Sequence, residues 1–266
     1  MDEFIRPISE PISRSLQNSS QYGFTPKLSY LLGAVQRHEC EAYAIDVKKT
    51  CFGCSLDGEA AFKVVDRDIQ KRELYLSGER GDLWRFSHHS YENTYTKIKM
   101  DNKLSLPLEE NLGVKQGHIK SSDHYLEYNR PLLDSLDRAN LGFWIGPICI
   151  NSSDVADDVY ILSESKDGLQ QALNLASHYG RRHRITFGAS KTKITITGPD
   201  IDRQYYKATK PWNMDGITVD LPDSNDHLGI IVTGERSEEK MWTIEHKREE
   251  VPSFNFLVLL LPKENL

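Results

Sequence analysis

Long apolar runs are nearly absent from this sequence. The exception is "FNFLVLLLP", residues 254–262, which falls far short of the ~20 residues a membrane-spanning helix needs. It reads either as a buried strand or as a tail joined to the frame by chance, and left exposed it would aggregate. The opening "MDEFIRPISEPISRS" has no apolar h-region, so no secretory signal is seen. An intracellular protein, nuclear or cytoplasmic, with no membrane partner is expected. Positive charge is in deficit too: 33 Lys and Arg stand against 39 Asp and Glu, a net charge of −6. That balance argues against indiscriminate adhesion to nucleic acid or anionic membrane, while leaving room for a local basic site. There is no internal repeat.

Cysteine is scarce, with four residues. Cys51 and Cys54 form a C-x-x-C, with His38 and Cys40 upstream. A zinc site needs four ligands at paired spacing, and here the second pair is irregular. Reduced thiols packed near a strand are the favoured reading.

What is present is a soluble, globular composition over 266 residues, with 12 tyrosines. That length buries a sizeable core, as one domain with an appendage or as two small lobes. Residues 1–20 are polar, with Pro7 and Pro11, and read as a poorly ordered segment. Leu28, Leu31, Leu32 and Val35 recur at helical spacing. "KTCFGCSLDGEAAFKVV" begins as a strand and turns helical, and "DIQKRELYLSG" stops at Gly78. "YTKIKMDNKLSL" reads as a hairpin turning at "DN". A helix from "SSDHYLEY" towards Gly142 should bend at Pro131.

"FWIGPICINSSDVADDVYILSE" reads as two strands meeting at Asp157 and Asp158. "KDGLQQALNLASHYG" is an amphipathic helix with Leu169, Ala172, Leu173 and Ala176 on one face. "RITFGASKTKITITG" reads as strand, turn and strand, and "DHLGIIVTG" as one more short strand. The element order predicts an α+β fold, an antiparallel sheet with helices on one face.

Two adjacent aspartates between apolar runs repel each other, and a divalent cation relieves that repulsion. A tight turn would expose them at a sheet edge. Asp57, at the end of an apolar strand, is the best third carboxylate. Carboxylates on adjacent strands can hold a pair of Mg²⁺ ions ~3.5–4 Å apart, the geometry of phosphoryl transfer.

"SLDGEAAF", "GVKQGHIKSS", "VADDVYILS", "GASKTKITITG" and "DHLG" follow one another in the order and spacing of a known family. The chain resembles the palm of reverse transcriptases, the RNA-directed DNA polymerases, of LINE-like non-LTR retrotransposons. "QYGFTP", residues 21–26, is similar to the fingers segment that precedes that palm.

The resemblance implies site residues. Asp57 and Asp157 match the metal-binding aspartates, and Asp158 the supporting neighbour. The carbonyl of Gly58 would reach a second ion. Phe62 matches the aromatic sugar gate, which leaves no room for a 2′-hydroxyl; the residue alone would read as a core aromatic. Gln116 and Gly117 would lie near the incoming nucleotide, and Gly113 would let the backbone approach it. Lys191 matches the lysine beside the leaving pyrophosphate, or else is a solvated turn lysine. "HLG", 227–229, resembles the primer-grip turn. "GRRHR", 180–184, complements a helix C-terminus or else meets phosphate.

Other features depart from the family. Val155 replaces an aromatic, Lys63 an aspartate, Ser122 a proline, and Thr25 stands where "GFR" is usual. The implied organisation is an N-terminal segment 1–20, a reverse transcriptase domain 21–233 with partial fingers and palm, and a tail 234–266. A thumb is not seen, and a truncated palm is the expectation. The implied cofactor is Mg²⁺, two ions, with Mn²⁺ as substitute. The implied partners are an RNA template, a DNA primer, dNTPs and other element-encoded protein segments. The alternative is an inactive palm relic that retains nucleic-acid or metal binding. A metal-dependent hydrolase on a similar sheet has no motif of its own and ranks last.

Overall fold

The computed structural model describes residues 11, 17–115, 120–188, 190–228 and 230–233. The tail 234–266 with its apolar run, the pair Gln116 and Gly117, and most of the segment 1–20 lie outside the described residues. In chain order the elements are α1 (Tyr30–Asp46), β1 (Cys51–Asp57), α2 (Ala61–Val64), α3 (Arg67–Leu76) and α4 (Gly81–His89). Four two-residue strands follow: β2 (Tyr95–Thr96), β3 (Lys99–Met100), β4 (Lys103–Leu104) and β5 (Leu108–Glu109). Then come α5 (Ser121–Ala139), β6 (Phe143–Ile145), β7 (Ile148–Ile150), β8 (Ser152–Val155), β9 (Asp158–Ser163) and α6 (Lys166–His183). The described chain closes with β10 (Lys193–Thr197), α7 (Asp200–Thr209), β11 (Asn213–Met214), β12 (Ile217–Thr218), β13 (Ser224–His227) and β14 (Ile230–Thr233).

These elements divide into two compact units. One takes its described residues from 19–58, 132–178 and 187–233, and contains the main sheet, ordered β10-β1-β9-β8 and antiparallel throughout. Strand β1 lies inside that sheet and is buried from Cys51 to Leu56 without alternation, the pattern of a strand covered on both faces. Cys51, Tyr160 and Leu162 pack with Cys40 and Ala44 of α1 and with Phe143. Phe52, on the opposite pleat, meets the rings of Tyr206 and Trp212 at 5.3 and 5.6 Å. The α+β antiparallel fold is therefore as expected, and its covering extends beyond a single face.

The other unit takes 59–131 and 179–186. Helix α3 starts where the Asp66 carboxylate accepts from the N–H groups of Asp68 and Ile69, both at 3.0 Å, which satisfies two orphan donors. The interior of this unit holds a buried ion pair, Lys120 Nζ to Glu79 Oε1 at 2.8 Å, and Ser87 donates to the same carboxylate. Lone buried charges are costly, so this pair stands or falls together.

Three local readings need correction. "FWIGPICI" forms its own hairpin, β6–β7, before β8 begins; Gly146 at φ 57° supplies the turn. "RITFGASK" is not a strand: Phe187 makes only a single bridge to Gly58, and the chain turns at Gly188 instead. "DHLGIIVT" is a hairpin rather than one strand, with His227 paired to Ile230. Helix α5 runs through Pro131, and the "DN" turn of 99–104 forms as expected, Asp101 and Asn102 both having positive φ.

Candidate active site

Asp57 is the last residue of β1, and its register partner on β9 is Asp158. Strands β8 and β9 are joined through Ala156 and Asp157 alone, so Asp157 sits in a two-residue hairpin loop. The aspartates thus occupy one end of the sheet. They are not at its side edge, as expected, because β9 lies between β1 and β8. Ala156 has a φ of 65°, a left-handed conformation that costs an L-residue ~1–2 kcal/mol. Strain of this kind concentrates where a turn must aim particular side chains.

The outer side of the turn is held by the segment before α1. The N–H groups of Tyr22 and Gly23 donate to the Asp154 carbonyl at 2.7 and 3.3 Å, and the Asp154 N–H donates to Ser20 O at 2.8 Å. The Gln21 amide donates to the Asp154 carboxylate at 2.5 Å. A side chain at Gly23 would collide with the backbone at Val155–Ala156, so only glycine permits this approach. Thr25 closes the segment by donating to the carbonyls of Gln21 and Gly23. "QYGF" therefore covers the free edge of β8, which would otherwise be open to foreign strands.

On the other side the chain turns at 188–191. The Gly188 N–H donates to the Asp57 carbonyl at 3.2 Å, and Lys191 and Thr192 donate back to Gly188. Lys191 Nζ then reaches Asp57 Oδ2 at 3.1 Å, with the lysine side chain 61% exposed. The ammonium rests where a cation bound by Asp57 would compete for the same oxygen.

The Asp158 carboxyl is pushed above the ordinary carboxylate range by burial first, then by the charges of Asp157 and Asp57. Accumulated negative charge of this kind invites a cation. Hard oxygen donors suit Mg²⁺, which keeps several positions for water and phosphate. Among the described residues, however, no three acidic, imidazole or thiol side chains already enclose a metal ion. The donor set fits; the cage is not preformed.

The remaining expected residues are placed as follows. Gly58 bridges Phe187 directly after Asp57. Phe62 belongs to the other unit, where its ring stacks on Tyr125 at 4.2 Å. Gly113 (φ 82°) packs against the Phe62–Lys63 backbone, a Cβ there lying 2.9 Å from Lys63 O. The close approach expected of Gly113 is thus made to the protein's own chain. Gln116 and Gly117 lie outside the described residues. In "GRRHR", Arg184 pairs with Asp66 at 2.6 Å and His183 is buried. The C-x-x-C is no metal pair: positions three apart on a strand face opposite ways, and burial raises the thiols of Cys40 and Cys54.

A contact that sequence reading missed anchors the 224–233 hairpin. His227 Nδ1 lies 2.8 Å from buried Arg37 Nη1 on α1, and the Asn225 amide donates to Ser55 Oγ at 2.8 Å. Burial, then the Arg37 charge, pushes the His227 pKa down to about 3, so the imidazole is neutral and offers its lone pair to the guanidinium. The faint signal was an arginine on the apolar side of α1.

The family described as Reverse transcriptase (RNA-dependent DNA polymerase) matches residues 3–251. This chain belongs to the reverse transcriptase family. The match runs past 21–233 at both ends. No curated protein matches the chain. Among solved structures it is similar to apo telomerase from Candida tropicalis truncated from the C-terminal domain, with TM-score 0.62 and 10% identity over 87% of this chain. Telomerase from the same organism with the TWJ fragment of telomeric RNA gives TM-score 0.60 and 9% identity over 86%. Candida albicans telomerase with its TWJ fragment gives 0.51 and 11% over 96%. At such identities the likeness concerns the fold. This reverse transcriptase chain spans 43%, 36% and 45% of those three chains respectively. No helix among its described residues is long and apolar enough to cross a membrane.

Proposed function

We propose that this chain is the palm of an RNA-directed DNA polymerase that joins dNTPs to a primer 3′-hydroxyl on an RNA template. The observation that carries the reading is the cross-strand register of Asp57 with Asp158, with Asp157 in the adjoining loop. Asp57 and Asp157 would hold two Mg²⁺ ions, and Asp158 would support them. When bound, the ions supply positive charge for the attacking hydroxyl and the triphosphate. The Gly58 carbonyl would reach the second ion. The motif resemblance supports Phe62 as the aromatic sugar gate against a ribose 2′-hydroxyl, and its ring stacks on Tyr125. The same resemblance supports Gln116 and Gly117 as nucleotide contacts. Lys191 parts from Asp57 to neutralise or protonate the leaving pyrophosphate. The motif resemblance supports a LINE-like retrotransposon origin, with other element-encoded segments as partners.

The test is primer extension on an RNA template with Mg²⁺ or Mn²⁺, using wild type, Asp57→Asn and Asp157→Asn. Extension by wild type alone is expected; extension by both variants would sink the reading. A second reading is a palm that binds metal or nucleic acid without turnover. Stabilisation by Mg²⁺ without extension would select it.

A further inference from the structure

The ribbon from β2 to β5 carries side chains that the rest of its unit does not use. Tyr95, Ile98, Met100, Leu104, Leu106 and Leu108 are each at least half exposed, reaching 83% at Leu106. Clustered apolar exposure on this scale marks an interaction surface. A two-stranded ribbon is also marginal by itself. This one is fastened at its base by Arg67, buried on α3. Its Nε donates to the Gly113 carbonyl at 3.0 Å, and its Nη1 donates to the Tyr91 carbonyl at 3.2 Å and to Thr94 Oγ1 at 2.7 Å. Nη1 also donates to the Glu110 carbonyl. One guanidinium therefore ties both ends of the ribbon together while its length projects into solvent.

The chemistry of the projecting part selects the partner. Residues 95–109 hold three lysines, Lys97, Lys99 and Lys103, against two carboxylates, Asp101 and Glu109, so the ribbon is net positive in a chain whose net charge is −6. Register places Lys99 opposite Leu104 and Met100 opposite Lys103. Cross-strand partners share a face, so each face of the tip carries a lysine beside an apolar residue. Lysine is depleted from protein–protein interface cores, and neither face of the tip is cleanly apolar. An A-like duplex offers a wide, shallow minor groove against which a two-stranded ribbon can lie, with phosphates on either side for its cations.

We propose that the 95–109 ribbon is a nucleic-acid-binding arm, its lysines on the backbone phosphates of a duplex and its apolar side chains in the groove between them. This deepens the polymerase reading, resting on it only for the natural duplex, an RNA–DNA hybrid. The test measures binding of a labelled RNA–DNA hybrid across a salt series. For Lys97→Ala/Lys99→Ala/Lys103→Ala, the slope of log affinity against log salt should fall by about 2–3 and low-salt affinity by about tenfold or more. Met100→Ser/Leu104→Ser/Leu106→Ser should weaken binding with the slope unchanged. Matching melting temperatures establish that the variants fold; a lysine variant that melts early is replaced by the single variants Lys99→Ala and Lys103→Ala, each expected to lose about one unit of slope. An unchanged slope and affinity in the lysine variants overturns the proposal. So does an apolar variant that loses self-association while binding the hybrid normally, which would mark the ribbon as a contact with a second copy. A wild type that fails to extend a primer yet shows the lysine-dependent slope would refute the polymerase reading and leave the arm standing.

Discussion

At the scale of single residues, Asp158 reports on the site through stability and Lys191 through rate. The Asp158 carboxyl holds its proton more tightly in the fold than in the unfolded chain. Its contribution to stability is therefore most favourable below the ordinary carboxylate pKa and is lost as pH rises through the raised value. Asp158→Asn removes that loss, so at neutral pH the metal-free variant should melt about 1–3 °C higher than wild type. The difference should shrink in acid. A calorimetric pH series checks this, and a variant melting lower at neutral pH contradicts it. The Lys191–Asp57 pair is well exposed, and such pairs contribute about 0–1 kcal/mol. Lys191→Ala should barely move a denaturation midpoint, yet it should slow primer extension about 10-fold or more if the lysine serves the leaving group. Equal rates for both proteins would return Lys191 to the solvent.

At the scale of elements, two anchors set the aspartate turn and the 224–233 hairpin. Gly23→Ala pushes a methyl into the backbone at Val155–Ala156. The segment 20–23 must then lift from the β8 edge, at a cost of about 1–3 kcal/mol. Urea unfolding should show that loss, together with loss of extension, because the loop holding Asp157 is no longer supported. Wild-type stability in Gly23→Ala would remove the anchor role. The hairpin anchor should show in acid. With its folded pKa down at about 3 against an ordinary 6.5, His227 binds a proton more readily in the unfolded chain. Stability contributed by neutral His227 is present above pH 6.5 and drains away as pH falls towards 3. His227→Gln, which cannot titrate, should flatten that part of the pH–stability profile. Parallel profiles for variant and wild type would show that the imidazole is not buried against Arg37.

At the scale of the whole molecule, the sheet end should behave as a single cation site. Mg²⁺ should raise the melting temperature of wild type, by mass action on the folded state, and should raise that of Asp57→Asn and Asp157→Asn far less. Equal shifts in all three proteins would place the ion elsewhere.

Much of this architecture was legible in one dimension. Strict 3.6-residue periodicity marked α1 and α6, and the positive-φ pair Asp101-Asn102 was announced by its own residue types. The turn at Asp157 was legible because two aspartates stand between two apolar runs. Three things were not. The edge covering by "QYGF" depends on a bridge between Gln21 and Asp154, over a hundred residues apart, and no local propensity encodes such a partner. The fates of "FWIGPICI" and "RITFGASK" turned on which short apolar runs found neighbours, a matter of tertiary pairing. The buried Arg37–His227 contact joined two residues 190 positions apart, whose pairing no local pattern encodes.

The sequence by itself determined the alternation of helix and strand, the tight aspartate turn and the membership in a polymerase family. These are properties of local sterics, apolar periodicity and motif order. Only the tertiary structure decided which strands flank β1, that Asp158 stands opposite Asp57, that Lys191 reaches Asp57, and that Arg67 gathers the base of a lysine-bearing ribbon. Each of these depends on contacts between residues distant in the chain. Such contacts are chosen by the joint burial of apolar surface and the pairing of every buried polar group, and no short window of sequence contains that sum.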